Sequence, residues 1–174
     1  MRKTVTVFGS SIPSDCDKEY LIAYELGKTL ALNGYDVCTG GYQGTMDAVS
    51  KGAVEYGGKA IGVTVDLFNA SPSKHLTREV ECSSLFERIL KLVELGDAYI
   101  ILNGGTGTLL ELSVIWEYVN KGLMNKKPIV CYGKMWDKIV ASMEERINEE
   151  KRETGLVKYL TDLNECVGFI RNNI

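Results

Sequence analysis

The sequence predicts an α/β fold: a Rossmann-like, doubly wound, mostly parallel sheet with helices on both faces. Short β-rich segments alternate with longer segments of helical periodicity along the 174 residues, which is typical of βαβ units. Glycine-rich turns follow three of the strand-like segments. Such turns are typical of the carboxyl edge of these sheets, where ligands bind.

The first half of the chain contains four predicted strands and two predicted helices. The helix Asp17–Leu32 ends before Asn33-Gly34, and the helix Gly44–Tyr56 ends before Gly57-Gly58, because glycine readily adopts the left-handed conformation that closes a helix. Residues 66–75 are rich in Asn, Ser and Pro and are predicted to form a loop. The strands are the apolar or β-branched runs Thr4–Phe8, Tyr35–Thr39, Lys59–Val65 and Leu76–Cys82.

The second half continues the same alternation. Ser84–Leu95 has apolar residues at helical spacing and precedes the largely apolar strand segment Asp97–Leu102. The next helix, Leu109–Lys121, is apolar on nearly all sides, which predicts burial or a dimer contact for Trp116, Tyr118 and Val119. The remaining elements are the strand Pro128–Tyr132, the amphipathic helix Trp136–Glu150 and a last helix, Leu163–Arg171.

The composition favours one globular domain over residues 1–174 and argues against several classes of protein. Lys and Arg number 20 against 23 Asp and Glu, and a net charge of −3 argues against a nucleic-acid-binding face. No apolar stretch reaches the roughly 18 residues that a membrane span needs. The segment Met1–Val5 runs directly into a strand, which leaves no room for a signal peptide.

Cysteine and histidine content argues against metal sites and histidine-dependent nucleophiles. The five cysteines are widely spaced and form no CxxC pair, so we expect no zinc site and a reducing, cytoplasmic setting. His75 is the only histidine and lies in the predicted loop, where we expect it to be solvated. We therefore expect no catalytic triad, no metal and no cofactor.

The run Asn103-Gly104-Gly105-Thr106-Gly107-Thr108 lies between a predicted buried strand and a predicted helix. A strand, a glycine-rich turn and a helix start form an anion site, because backbone N–H groups point outward and the helix dipole favours negative charge. Glu111 follows after one further helical turn. The segment therefore predicts a phosphate site with one carboxylate beside it.

Two further turns are predicted to reach the same edge of the sheet. Parallel strands place their carboxyl ends at one edge, where ligands bind near a topological switch point. At a helix start, Gly44 and Thr45 are expected to contact an anion, whereas Ser10 and Ser11 either bind the ligand or stabilise their turn. The candidate residues of these turns are Gly9, Ser10, Ser11, Gly41, Gly44 and Thr45.

Two common nucleotide-binding motifs do not fit. Leu110 stands where the Rossmann dinucleotide fingerprint needs Gly or Ala, and the first strand lacks that fingerprint. Gly27-Lys28-Thr29 is similar to the end of a P-loop, but Ile22 occupies the position of the required glycine and the tripeptide lies in a predicted helix. The sequence therefore favours neither an NAD enzyme nor a P-loop enzyme.

The motifs resemble those of the LONELY GUY (LOG) family, from a superfamily labelled "possible lysine decarboxylase". Residues 103–111 match its hallmark P-G-G-x-G-T-x-x-E, with Asn103 in place of the proline. Val7–Ser11 is similar to the family's first-strand G-S-S. Gly40–Val49, which includes Met46, is similar to its G-G-x-x-G-x-M-x-A-V turn, and Leu85–Arg88 to its M-x-x-R segment, with Ile89 in place of a following lysine.

This resemblance implies a Rossmann-like fold and a homodimer with the active site near the interface. It also implies hydrolysis of cytokinin riboside 5′-monophosphates to an adenine-type base and ribose 5-phosphate. Glu111 and Arg88 match the family's catalytic residues, and Gly104–Thr108 match its phosphate loop. The implied partners are an AMP-like nucleotide and one or more further copies of the chain, with no nucleic acid and no membrane.

Structural interpretations stay open for both of the residues that match catalytic positions. Thr108 and Glu111 also fit a capping box, T-x-x-E, in which the carboxylate only satisfies the helix start. Arg88 falls on the apolar stripe of its helix with Leu85 and Leu92, so it needs a buried anion. Either a ligand phosphate or a structural ion pair with Glu111 would provide that anion.

Two other functions stay open as well. The superfamily includes molybdenum-cofactor carrier-like proteins that bind nucleotide-like ligands without hydrolysing them, and the changed residues Asn103 and Ile89 favour such a binder. A lysine decarboxylase would need a lysine that forms a Schiff base with pyridoxal phosphate. The sequence marks no lysine for that role.

Overall fold

Strands and helices alternate along the chain in the computed structural model, which describes residues 2–174. Met1, the first residue of the predicted domain, lies outside the described residues. The strands are β1 (Thr4–Phe8), β2 (Asp36–Thr39), β3 (Ala60–Val65), β4 (Arg78–Cys82), β5 (Ala98–Ile101), β6 (Ile129–Tyr132) and β7 (Val157–Leu160). The helices are α1 (Lys18–Leu32), α2 (Thr45–Glu55), α3 (Leu85–Leu95), α4 (Thr106–Asn120), α5 (Met135–Glu149) and α6 (Leu163–Asn173), with a one-turn 3₁₀ helix at Asp66–Phe68.

The seven strands form one sheet in the order β4-β3-β2-β1-β5-β6-β7. Every neighbouring pair is parallel. The chain builds outward from β1 to β4 and then returns to place β5 on the other side of β1. The predicted doubly wound α/β fold is confirmed, and its topological switch point lies between β1 and β5.

Helices cover both faces of the sheet because successive strand residues point to opposite sides. Val5 and Val7 pack with α1, α2 and α6 in one hydrophobic core. Phe8 packs with α3, α4 and α5 in the second core. The two helices that carry Arg88 and Glu111 therefore lie together on one face.

Two predicted elements start two or more residues away from their positions in the structure, and one strand was not predicted. The helix predicted from Leu109 begins at Thr106, because Gly107 is accommodated in its first turn. The strand predicted from Leu76 begins at Arg78. Strand β7 was not predicted, since Val157 is its only fully buried residue and its short sequence carries a weak apolar signal.

The apolar helix α4 supplies the core as predicted. Trp116 and Val119 are buried in the second core, and Tyr118 is half-buried beside it. His75 is half-buried rather than fully solvated, because the loop before β4 packs on the rest of the molecule through Ser73. No helix within residues 2–174 is long and apolar enough to cross a membrane.

Candidate functional site

A cleft of about 640 Å³ opens at the carboxyl ends of β1 and β2 and extends to α3 and α4. It lies beside the switch point, where open parallel sheets bind ligands. Residues from all three predicted turns meet there with both residues that match catalytic positions. The predicted site residues that line it are Gly9, Ser10, Ser11, Met46, Arg88, Gly105, Thr106, Gly107, Thr108 and Glu111.

Five predicted site residues do not line this cleft: Gly41, Gly44, Thr45, Asn103 and Gly104. The backbone N–H and the hydroxyl of Thr45 both donate to the Ser10 carbonyl oxygen, at 2.9 and 3.0 Å. Gly44 has φ +72°, and a Cβ there would overlap the same oxygen. Gly44 and Thr45 therefore join the first two turns, and neither polar group of Thr45 faces an anion in the cleft.

Helix α4 begins in the cleft with its N-terminus uncapped by any side chain of the described residues. Its cap residue is Gly105, so Thr108 lies inside the first turn. The capping-box interpretation of Thr108 and Glu111 is therefore wrong. The N–H groups of the first turn have no partner within the helix, and they favour an anion at this end of the cleft.

Glu111 follows this first turn and is a buried carboxylate with a perturbed pKa. Burial raises the pKa of Glu111 to about 7, and the nearby Arg88 opposes that change. A carboxyl group with a pKa near neutral exchanges protons readily at physiological pH, as general acids and bases do. Glu111 is therefore suited to proton transfer as well as to stabilising a neighbouring positive charge.

Arg88 is buried and held by three groups. Its Nη1 lies 3.5 Å from Glu111 Oε1. Its Nε donates to the Val63 carbonyl at 2.8 Å, and its Nη2 donates to the Gly40 carbonyl at 3.1 Å. The ion pair considered as an alternative is thus present. Because a guanidinium has five N–H donors, it leaves donors available to a ligand.

Two aromatic side chains beside Arg88 were not predicted as site residues. Tyr42 and Phe68 both line the cleft, with ring centroids 5.7 Å apart at an interplanar angle of 64°. The Tyr42 hydroxyl accepts from the Val65 N–H at 2.7 Å and donates to the Val65 carbonyl at 2.6 Å. Tyr42 could have been predicted as a site residue from its place in the second glycine turn. Phe68 carries no such signal, because it is a single aromatic residue in a polar loop.

Asn103 connects the glycine-rich loop before α4 to α1. Its Nδ2 donates to Glu19 Oε1 at 2.9 Å, and its carbonyl accepts from the Ser10 N–H at 3.2 Å. A proline ring could not donate the first of these hydrogen bonds. The residue that departs from the family hallmark therefore positions the loop by a side-chain bond.

A neighbouring cavity of about 760 Å³ has different chemistry. It shares Tyr42 with the cleft, but carboxylates from Asp66, Glu79 and Glu81 line it. Neither Glu111 nor α4 contributes to it. Its negative charge disfavours a phosphate, so we assign the candidate active site to the cleft at α4.

The side chains offer little for metal or Schiff-base chemistry. Within the described part of the chain, no group of three or more His, Cys, Asp or Glu residues is arranged to hold a metal ion. No lysine is among the described residues that line the cleft. Pyridoxal phosphate would therefore find no amine for a Schiff base in the cleft, which argues against the lysine decarboxylase alternative.

We expect the stability of the protein and of its Glu111→Gln variant to respond differently to pH. The pKa of Glu111 rises from 4.5 to about 7 on folding, so the folded chain keeps a proton that the unfolded chain releases between these values. The higher proton affinity of the folded chain contributes to the free energy of unfolding. This contribution is complete below pH 4.5 and is lost as the pH rises to about 7.

At about 1.4 kcal/mol for each tenfold change in proton affinity, the free energy of unfolding relative to Glu111→Gln should fall by about 3 kcal/mol between these limits. Urea unfolding of both proteins at pH 4.5 and 7.5 measures this fall in the free energy of unfolding. The same difference between the two proteins at both pH values would contradict the raised pKa.

Comparison with known proteins agrees with the motifs. A model of the SLOG cluster4 family matches residues 2–167. A cytokinin riboside 5′-monophosphate phosphoribohydrolase of Rhodococcoides fascians is 33% identical over 128 residues, which cover 71% of this chain and 65% of that protein. A protein of the same name from Mycobacterium marinum is 32% identical over 132 residues, covering 74% of this chain and 70% of that protein.

A solved structure shares the fold. The molybdenum cofactor binding protein of Rippkaea orientalis superposes with a TM-score of 0.76 and 23% identity, covering 99% of this chain and 97% of that chain. The likeness concerns the fold alone. The chain spans less than two thirds of the length of the Rhodococcoides relative.

Proposed function

The chain belongs to the SLOG cluster4 family, a LOG-type family, and from this membership and the geometry of the cleft we propose that it hydrolyses nucleoside 5′-monophosphates of the cytokinin riboside type. The products are the free adenine-type base and ribose 5-phosphate. One observation carries the proposal: the buried carboxylate of Glu111 lies one helical turn beyond the uncapped N-terminus of α4, in the same cleft.

The phosphate of the substrate binds at the start of α4 in this proposal. The N–H groups of Thr106, Gly107 and Thr108 supply donors, and the helix dipole adds a favourable field. Gly105 and Gly107 have open space where a Cβ would stand, so a ligand can approach their backbone closely. Binding the phosphate here places the ribose beside Glu111.

Glu111 activates the water molecule. Water attacks C1′ of the ribose as the bond from C1′ to the base nitrogen breaks, the carboxylate takes the proton of the water, and the departing base takes a proton from solvent. Positive charge develops on the sugar in an oxocarbenium-like transition state, which the carboxylate stabilises. Arg88 holds Glu111 in place and presents its remaining N–H donors to the substrate.

The test is to incubate the purified protein with AMP and with N6-isopentenyl-AMP and to assay ribose 5-phosphate. We expect release of base and ribose 5-phosphate in equal amounts from at least one purine monophosphate. Folded protein that releases neither product from any purine monophosphate would rule out this function.

A nucleotide or molybdenum-cofactor carrier is the second candidate. The observation that favours it is the cation content of the cleft: Arg88 is the only Lys or Arg among the described lining residues, and Ile89 is buried in the core instead of adding a second charge. A carrier would retain its ligand through purification. Mass spectrometry would then identify a bound nucleotide-like molecule that the protein does not convert.

A homodimer that forms through α3 and α4 is part of the proposal. A mostly apolar groove lies between these two helices, which carry Arg88 and Glu111. Phe86 (67% exposed) and Leu123 (66% exposed) line it. Exposed apolar surface of this kind marks interaction sites. We propose that a second copy of the chain covers it.

Replacing Phe86 with lysine should convert the dimer into a monomer, because a buried charge opposes association. Size-exclusion chromatography with light scattering measures the mass. Leu21→Lys is the matched control, since Leu21 is an exposed leucine of α1 on the opposite face of the sheet. A monomeric wild type, or a dimer unaffected by Phe86→Lys, would contradict this interface.

We further propose that residues 1–174 act as one domain in the cytoplasm. All five cysteines are free thiols, and four of them are buried. Free thiols persist in a reducing compartment.

A further inference from the structure

The aromatic side chains of the cleft differ sharply in exposure. Phe8 and Tyr42 are 2% and 6% exposed, whereas Phe68 is 47% exposed. Phe68 ends the 3₁₀ turn that follows β3, and it stands at the rim of the cleft. It is therefore the aromatic ring of the described cleft that a ligand can reach.

The Phe68 ring is held in position by fixed neighbours. It packs edge-to-face on Tyr42, whose hydroxyl makes two hydrogen bonds to the backbone of Val65. The Arg88 guanidinium carbon lies 5.5 Å from the centre of the Phe68 ring. A half-exposed ring supported in this way is a preorganised stacking surface.

The contacts among the groups of the cleft run in the order of the parts of a nucleotide. The anion site at the start of α4 comes first, Glu111 next, and then Arg88, whose guanidinium contacts both Glu111 and the Phe68 ring. A nucleoside monophosphate places phosphate, ribose and base in the same order. With the phosphate at α4 and C1′ beside Glu111, the base extends toward Phe68.

We propose that Phe68 is the residue on which the base of the nucleotide stacks, and that it selects nucleotides over sugar phosphates. The inference rests on the proposed function and adds the residue that recognises the base. An aromatic platform accepts any flat base because every base has a π-face, and removing one weakens binding by about 5- to 150-fold. The neighbouring Arg88 adds a cation beside the stacked rings.

The experiment compares the binding of AMP and of ribose 5-phosphate by calorimetry with and without Phe68→Leu, using the Glu111→Gln protein as the background wherever the wild type converts AMP during the titration. We expect the variant to lose AMP affinity by about 5- to 150-fold and to keep its affinity for ribose 5-phosphate, which has no base. Phe68→Trp should retain AMP binding because it restores a stacking ring. Leu67→Ala is the matched control, since Leu67 is exposed in the same turn and does not line the cleft.

The outcomes separate this inference from the proposed reaction. Unchanged AMP affinity in Phe68→Leu would overturn the stacking role, even if the wild type hydrolyses AMP. An equal loss of affinity for both ligands would also overturn the stacking role, because the substitution would then act on the part of the cleft that binds the phosphate. A selective loss of AMP binding by a protein that releases no base would support stacking while the proposed hydrolysis fails. A wild type that binds neither ligand would overturn both.

Discussion

Glu111→Gln should lower kcat by about 100- to 10,000-fold, the range typical of losing a general base, and should leave AMP affinity within a few-fold of the wild type. The amide nearly matches the carboxylate in shape, so the cleft keeps its form. The amide cannot take a proton from water, and it brings no negative charge to the oxocarbenium-like transition state. Steady-state kinetics with AMP and N6-isopentenyl-AMP measure the change.

Glu25→Gln is the matched control for this substitution. Glu25 lies on α1, on the other face of the sheet, where it is exposed and pairs with Lys28, so its loss should leave kcat unchanged. In the wild type, kcat/KM should rise with pH and level off above about pH 7, where Glu111 is ionised. A Glu111→Gln enzyme with wild-type kcat would contradict the assignment.

Gly27→Ala should lower the free energy of unfolding by about 3 kcal/mol or more, as overpacking of a close contact does. Gly27 lies on α1 where it meets α2, and a Cβ there would overlap the backbone carbonyl oxygen of Val49. Gly52 of α2 approaches the Tyr24 carbonyl in the same way. Backbone cannot rotate aside as a side chain can, so the two helices must separate.

Gly168→Ala provides the control for Gly27→Ala. Gly168 lies in α6, and outside the adjoining backbone of that helix no described atom stands within 4 Å of the position that its Cβ would take. Alanine there should stabilise the protein by up to about 1 kcal/mol, the helix-propensity difference between the two residues. Urea unfolding measures both variants. A Gly27→Ala protein as stable as the wild type would show that α1 and α2 can separate at little cost.

The sheet and the meeting of its turns could be predicted because they follow from periodicity. Alternating strand and helix segments imply parallel strands, and parallel strands bring their carboxyl ends to one edge. Gly9 and the start of α4, which carries Glu111, therefore lie at one cleft, and Arg88 reaches the same cleft from the apolar stripe of α3. The same reasoning put Gly27-Lys28-Thr29 inside a helix, where the structure gives the glycine a packing role instead of a phosphate-binding one.

The partners of these residues could not be predicted, because they depend on which backbone atoms come together. Arg88 is fixed by the carbonyls of Gly40 and Val63, and backbone carbonyls carry no residue-specific signal. The Thr45 hydroxyl donates to the Ser10 carbonyl oxygen, which is again a backbone partner that the sequence does not indicate. A single Phe68 in a polar loop gives no pattern until Tyr42 is seen to support it.

The position of β1 at the centre of the sheet has a consequence for how the chain folds during synthesis. One edge of β1 can pair with β2 early, but the other waits for β5, which begins only at Ala98. An unpaired strand edge is a template for association with other chains. A nascent chain that ends after α3 would therefore hold an open edge and an Arg88 whose carboxylate partner has not yet been made, so we expect this stage to be the most prone to aggregation.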